Sequence, residues 1–515
     1  MIAALAMTSI GMTAQETYEN AKIAGEDLNG TARYVGMGGA MEALGADIST
    51  ISTNPAGIGL FRKSNANLSF GFVSQQDAKA FANGHKTNMS FDQIGFVYSN
   101  PIGEDSYLNF AFNYHKSRNF DFILSAADNL NNASQNKLTY AKAKNEMLFE
   151  GSNGAPNFDR PYIQCNQLDD IYARGLLYDP TNNTWFYDNA LEYTMDRAHS
   201  GYIGRYDFNL SGNVHNRVYW GITVGISGVH YKHYSEYVEN IDNNYFIQVQ
   251  DDRKITGTGA DIKAGIIFRP IEESPFRIGL SISTPTWYDL TTSNYTTLSD
   301  LNTLNNTGGS DHNGEEYDFK LYTPWKFGLS LGHTIDNWVA LGASYEYADY
   351  GHLDSRYITD SHYDWWYDDY TDRSESDEVM NRHTSATLRG VHTLKLGAEF
   401  KPSPELAVRF GYNYVSPMYE KDGFKDGTLD SEGSYYSSAT DFTNWEATNR
   451  ITCGLGYQIG KLNLSAAYQY SSQNGNFQPF MSYVDPQTAA DDNIANEVKV
   501  SNKRHQLLVT LNYTF

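Results

Sequence analysis

The last eleven residues, His505-Gln506-Leu507-Leu508-Val509-Thr510-Leu511-Asn512-Tyr513-Thr514-Phe515, decide the fold. Taken two at a time, His505, Leu507, Val509, Leu511, Tyr513 and Phe515 share one face. Gln506, Thr510, Asn512 and Thr514 share the other, with Leu508 the exception. Side chains of a strand alternate between its faces, so one side here is apolar and the other polar. A strand of ~10 residues with this alternation fits a bilayer crossing, apolar side to lipid and polar side to an enclosed lumen.

The pattern recurs upstream. Leu108, Phe110, Phe112 and Tyr114 oppose Asn109, Ala111, Asn113 and His115. Trp220, Ile222, Val224 and Ile226 oppose Gly221, Thr223, Gly225 and Ser227. Similar alternation covers residues 339–347 and 462–470, and the whole chain holds about fourteen such segments. Short turns near 99–106, 215–217, 269–275, 333–337, 401–404 and 460 alternate with long connections at 74–90, 117–200, 231–255, 285–316, 350–390, 416–448 and 471–502. Short turns at one end and long loops at the other are the topology of an outer-membrane barrel. Closure also removes the sheet edges that would leave backbone groups unpaired in lipid. The expected fold is therefore all-β: a transmembrane antiparallel β-barrel of about 14 strands.

Composition agrees. The 515 residues are 40% hydrophobic and 19% charged, and the aromatic residues include 39 Tyr and 26 Phe. Past the N-terminus, no run approaches the ~18 apolar residues of a spanning helix. The formal charge of -23 argues against a nucleic-acid partner, which needs a basic face. Much of that charge lies in segments such as Asp364 to Glu378, read as solvated loops. Cys165 and Cys453 are the two cysteines, too few for a disulfide framework and without metal-site spacing, so no metal and no cofactor is expected.

Residues 1–14, MIAALAMTSIGMTA, read as the apolar core and cleavage site of a secretory signal, too short for a membrane anchor. The basic residues that usually precede the apolar core are missing, which a start upstream of Met1 would explain. No cysteine follows the run, so a lipid anchor is not expected. By strand parity the lumen faces carry Arg205, Lys263, Lys395 and Arg409 beside Asp207, Asp261, Glu346 and Glu399, a balance that predicts mutual pairing.

Residues 15–66 lack strand alternation. They contain Gly36-Met37-Gly38-Gly39-Ala40 and Asn54-Pro55-Ala56-Gly57, small residues and a turn signal suited to short helices packed in a confined lumen. As a phosphate-binding loop the glycines would need a flanking βαβ unit, and none is evident. An exported chain with this GxGGA segment and an Asn-Pro-Ala motif ahead of a barrel resembles the FadL/TodX family of outer-membrane hydrocarbon transporters. Ser283-Thr284-Pro285-Thr286-Trp287-Tyr288 and Tyr322-Thr323-Pro324-Trp325-Lys326-Phe327 are similar to segments of Bacteroidetes-type members.

The resemblance implies residues 15–66 as a hatch inside a barrel formed by residues 67–515. Gating falls to Asn54, Pro55, Ala56, Gly57, Gly36, Gly38 and Gly39. It implies a non-enzymatic channel in the bacterial outer membrane for passive, hatch-gated uptake of small hydrophobic compounds, either long-chain fatty acids or aromatic hydrocarbons. Ligand capture is expected at Phe120, Phe122, Ile123, Leu124, Trp365 and Trp366, with Tyr363, Tyr367 and Tyr370 beside them. Family members carry a kink in the third strand that makes a lateral opening. Residues 107–116 hold no Gly or Pro, so a kink here needs another cause or the exit lies elsewhere. The expected partners are the hydrophobic ligand, outer-membrane lipid and lipopolysaccharide, and the barrel assembly machinery through the strand ending in Phe515, with the chain a monomer. Alternatives are a haem or other nutrient receptor, a structural or adhesive barrel, and a lipid-modifying enzyme. No HExxH supports the last.

Overall fold

The computed structural model describes residues 16–152, 155–241, 245–302, 305–310, 312–364 and 369–515. The expected signal segment and Trp365, Trp366 and Tyr367 lie outside them, and the side chains of Tyr363 and Tyr370 are not described. Fourteen antiparallel strands form one sheet. They are β1 (Asn65–Gln75), β2 (Thr87–Gly103), β3 (Ser106–Asn119, resumed as Phe122–Ala133), β4 (Ala190–Val214), β5 (Val218–Ile241) and β6 (Tyr245–Phe268). Three interrupted strands follow: β7 (Arg277–Ser283 and Trp287–Asp300), β8 (Glu316–Tyr322 and Lys326–Ile335) and β9 (Val339–Asp349 and Asp354–Asp364). The last are β10 (Gly390–Phe400), β11 (Leu406–Val415), β12 (Phe442–Ile459), β13 (Leu462–Gln478) and β14 (Val498–Thr514). The sheet closes where β1 pairs with β14, from Asn65 opposite Thr514 to Gln75 opposite Arg504.

The alternation read from the sequence becomes a lipid-facing belt. Phe110, Phe208, Leu210, Ile222, Val224, Leu280, Phe327, Leu329, Leu394, Leu455, Leu464 and Leu507 are all strongly exposed on the outside. In water such a surface would be untenable; in a bilayer it is the required solvent match. Among the described residues no helix is long and apolar enough to span. This is the architecture of an outer-membrane barrel. The belt predicts a steep position dependence. Leu329→Arg, in the belt, should cost ~2–4 kcal/mol, and Tyr347→Arg, at the rim beside His392, ~0–1 kcal/mol. Urea titration of the barrel folded in vesicles reads both.

The strands outrun the bilayer. At ~3.3 Å per residue the 24 residues of β5 are roughly three times as long as the ~25 Å apolar band. Much of what the sequence presents as long loops is therefore strand: residues 122–133 and 190–200, 231–241, 245–255 and 287–300. Polar outward residues there carry no lipid signal, which is why the alternation stops marking them. The described extracellular segments also hold α3 (Gln135–Lys144), α4 (Gln167–Tyr172) and α5 (Glu378–Thr387), counting α1 and α2 of the hatch below as the first two helices.

The two proline segments interrupt β7 and β8 side by side. Proline has no N–H for the ladder. Threonines carry the pairing across instead: Thr284 Oγ1 accepts from Ile262 N at 3.0 Å, and Thr323 Oγ1 accepts from Thr286 N at 2.8 Å. Each break flips the parity of its strand. Leu280 and Ile282 face lipid, whereas Tyr288 and Leu290 beyond the break are buried inside. On β8, Tyr317, Phe319 and Leu321 are inside, and Phe327, Leu329 and Leu331 face lipid. The apolar face is thereby transferred from the membrane to the interior above it.

Candidate functional site

The hatch runs down the barrel from Glu16 at the extracellular end to Ser64, whose carbonyl accepts from Phe515 N at 3.0 Å. It contains α1 (Thr17–Ala24), α2 (Ala32–Gly36) and two 3-10 turns, Ile48–Ser52 and Pro55–Leu60. Thr31 caps α2, accepting from Tyr34 N at 3.0 Å and donating to both Asp47 oxygens at 2.9 and 2.8 Å. Asp47 in turn accepts from Ser49 N at 3.0 Å. These local bonds satisfy the open ends of helices too short to stand alone.

The Asn-Pro-Ala motif is a cap against the wall. Asn54 Oδ1 accepts from Ala56 N at 3.2 Å, Pro55 opens the turn, and Asn54 Nδ2 reaches Leu280 O at 3.4 Å. Ser211 donates to Pro55 O at 2.9 Å. Gly38 and Gly39, at φ +64° and +82°, end α2 in a left-handed turn that an L side chain resists.

The wall has a matching feature that strand parity alone does not reveal. Gly221, Gly265, Gly279, Gly332, Gly342, Gly397, Gly411 and Gly454 lie one on each of β5 to β12 and face inward at the level of the hatch. A Cβ on Gly342 would meet Ala40 O, on Gly397 Met37 O, on Gly411 Gly38 N and on Gly265 the Asn54 side chain. The belt of bare backbone is the seat of the hatch. Next to it, on β14, Leu508 is fully buried against Ala32, Val35 and Ala467. That contact explains the one apolar residue on the polar face of the C-terminal strand.

The lumen charges pair, with the hatch as a third party. Arg205 bonds Asp207 at 2.8 Å and also Asp261, and Arg409 bonds Glu399 at 2.7 Å. From the hatch, Arg33 joins Glu399 at 3.0 Å and Glu42 joins Lys395 at 2.8 Å, closer than the 3.8 Å from Lys395 to Glu346. Lys263 donates to Ser52 O at 2.6 Å. Half of the expected wall-to-wall pairing is thus wall-to-hatch, so hatch movement would strand buried charges at real cost.

Beside the upper part of the hatch lies a cavity of about 300 Å3, lined on one side by Glu16 to Asn29. Phe120, Phe122 and Leu124 line it, together with Tyr419, Phe442 and Trp445. Ile123 points away, its backbone bonded to the Gln75 side chain at 2.8 Å in both directions. Phe120, Phe122 and Leu124 are buried rather than displayed on a surface groove. One corner is strongly cationic: Arg118 and Arg450 lie 3.4 and 3.7 Å from Asp27 of the hatch, and Arg504 joins them. Burial pushes the Asp27 carboxyl up, and Arg118, Arg504 and Arg450 more than reverse this, holding it below the usual carboxylate range. Arg118 Nε is buried without a partner.

Beside the cavity the wall has a seam. The β2–β3 ladder ends at Gln93 opposite His115, and among the described residues the β2 segment Thr87–Asp92 has no partner on the β3 side. β3 itself shifts register between Lys116 and Arg118 and breaks after Asn119. No glycine or proline is needed, because Asp92 bulges from the β1–β2 ladder and β3 follows β4 instead. Asn29 of the hatch fills the seam, donating to Asp92 and to Lys116 O, both at 3.0 Å. Lys116 bridges to Ser90 at 2.9 Å. Asn29 and the β2 bulge are residues the sequence reading did not single out; a polar Asp92-Gln93 pair interrupting the alternation of β2 was their signal.

Among the described residues no cluster of His, Cys, Asp and Glu is arranged to hold a metal ion. Solved structures resemble the chain, among them three bacterial proteins. They are the Ralstonia pickettii toluene transporter TbuX (11% identity, 95% of this chain and 99% of that one, TM-score 0.49) and a Pseudomonas aeruginosa FadL homologue (12%, 95% and 99%, 0.49). The third is the Pseudomonas putida toluene transporter TodX (10%, 95% and 98%, 0.45). At these values nothing about activity follows from the likeness. No family model and no curated protein matches the chain.

Proposed function

We propose that this barrel admits an amphipathic molecule with an anionic head and an apolar tail, of the long-chain fatty acid class, by passive movement gated by the hatch. The observation that carries the reading is the cavity beside the upper part of the hatch. Phe120, Phe122, Leu124 and Trp445 offer apolar surface, and Arg118, Arg450 and Arg504 share the Asp27 carboxylate at one corner. An apolar tail gains ~0.8 kcal/mol per buried CH2. A carboxylate at the corner would gain charge-assisted hydrogen bonds from planar guanidiniums. An aromatic hydrocarbon would fill the apolar side and gain nothing from the guanidiniums, so it fits less well.

The exit is the β2–β3 seam. The cavity reaches Asn29, His115 and Ser117, and Asn29 holds the seam shut. Hatch movement that withdraws Asn29 would open a path to the upper edge of the belt, where Phe91 and Met89 are exposed. The remaining gating residues, Asn54, Pro55, Ala56, Gly57, Gly36, Gly38 and Gly39, keep the axial route sealed.

The test is uptake of a radiolabelled long-chain fatty acid by cells expressing the barrel. A Ser90→Cys/Lys116→Cys pair joined by a short bis-maleimide should abolish barrel-dependent uptake, and each single variant treated alike should retain it. Undiminished uptake through the cross-linked seam would eliminate the lateral route, and no barrel-dependent uptake at all would eliminate the fatty-acid reading.

A further inference from the structure

Helix α1 is held at its upper end by extracellular segments. Thr17 bonds His383 and Thr384 of α5 at 2.8 and 2.9 Å, Tyr18 donates to Asn444 at 2.7 Å and stacks on Tyr419, and Asn20 reaches Ser355 at 3.3 Å. Toward the long strands β4 to β6 its polar attachment is different in kind. Within Thr17–Ala24, among the described residues, the side-chain hydrogen bond to those strands is Lys22 Nζ to Tyr231 Oη, at 2.9 Å, while Glu16 just ahead of the helix pairs with Arg253 of β6 at 3.5 Å.

Tyr231 is fully buried and stands at the centre of a chain of hydrogen bonds. His199 Nδ1 lies 2.8 Å from its hydroxyl, and His233 Nδ1 lies 2.9 Å from it. His233 Nε2 is 2.8 Å from Asp251, which also accepts from Thr296 at 3.0 Å and from Ser438 of the β11–β12 connection. Donors and acceptors fix the direction. Asp251 accepts only, so in a neutral His233 the Nε2 carries the proton and Nδ1 is the acceptor. Tyr231 therefore donates to His233, and its oxygen accepts from Lys22 and from His199 Nδ1–H. Tyr231 Oη thus gives one hydrogen bond and receives two, and Lys22 supplies one of the two it receives. Lys22 also pairs with Glu19 within α1 at 2.8 Å.

We propose that Tyr231 is the latch that holds α1, and with it the hatch, in the closed position, and that Lys22 is the group it holds. This rests on the hatch-gated reading of the cavity above. The geometry gives the latch a reason to respond to occupancy. Tyr231, Lys22 and His199 all border the cavity, and His199 stacks on Phe122 at 5.8 Å. A ligand beside Phe122 therefore lies next to the hub. Withdrawal of Lys22 costs one hydrogen bond and its contact with the Tyr231 ring, 4.9 Å away, and leaves its charge with Glu19, so no ammonium ion is left unpaired. The Asp251–His233 pair keeps the Tyr231 hydroxyl aimed, and the Ser438 contact ties that aim to the extracellular surface.

The test reads hatch position without any ligand. In a Cys165→Ser/Cys453→Ser background, Ala24→Cys at the end of α1 is buried when the hatch is closed. Its labelling by a membrane-impermeant maleimide is followed in proteoliposomes holding the full chain. Tyr231→Phe removes one oxygen and keeps the ring packed on Phe120, 5.0 Å away. It should raise the labelling rate about tenfold, since loss of a hydrogen bond to a charged group is worth at least one decade. Lys22→Met should also raise the rate, and the two effects should not multiply in the double variant, because both substitutions remove the Lys22–Tyr231 contact they share. A labelling rate unchanged by either substitution overturns the latch, as do effects that multiply in the double variant. If Tyr231→Phe fails to fold, Lys22→Met tests the contact from the hatch side. Faster labelling of a barrel that takes up no fatty acid would leave the latch standing and remove the transport reading.

Discussion

Arg450→Met should weaken binding of a long-chain fatty acid by about 10- to 150-fold, the span of ~1.5–3 kcal/mol for a hydrogen bond to a charged group. Arg450 donates to Asn413 at 2.8 Å and shares Asp27 with Arg118 and Arg504. It sits on β12 with its head at the cavity corner, and methionine preserves most of its packing volume. The matching fatty alcohol should lose little, because it brings no charge for the guanidinium to meet. Titration calorimetry with both ligands separates a head-group effect from a general loss of structure. Tail length supplies a second axis: each added methylene should tighten binding about fourfold, at ~0.8 kcal/mol each, until the cavity is filled. Equal losses for acid and alcohol would mean that Arg450 shapes the cavity and recognises nothing.

A second large effect is expected at the glycine belt. Gly342→Val places a branched side chain where the Ala40 carbonyl now rests, and neither backbone can yield without breaking its own ladder or turn. The strand itself accepts valine readily. The barrel should therefore assemble while the hatch fails to seat, and cells should become permeable to bulky antibiotics that an intact outer membrane excludes. Heat-modifiable migration on a gel checks assembly, and antibiotic sensitivity checks the seal. Gly228→Ala, whose added Cβ would meet only His230 Nε2 at 3.9 Å, serves as the neutral control. A sealed Gly342→Val barrel would show that the hatch is held by its ion pairs, Arg33 to Glu399 and Glu42 to Lys395, and not by the close fit.

Sequence by itself determined the barrel. Its evidence was strand parity, and parity survives folding because a lipid belt leaves each spanning strand no choice of face. Residues 505–515, 218–226 and 462–470 needed no neighbours to be read. The lumen cations and anions were legible for the same reason, and so was the Asn-Pro-Ala cap, whose bonds are local. Three things only the tertiary structure decided. The Pro285 and Pro324 breaks exchange lipid-facing and inward residues because they fall side by side on paired strands, a fact of register and not of either segment. The eight belt glycines are scattered over some 230 residues and become one surface only when β5 to β12 align around the hatch. The Lys22, His199, Tyr231, His233 and Asp251 chain joins the hatch to three strands, each member ordinary alone. The division has one physical cause. Solvent imposes its pattern residue by residue, so the sequence records which side faces lipid. The inside answers to partners distant in the chain, and their meeting is fixed by closure of the barrel.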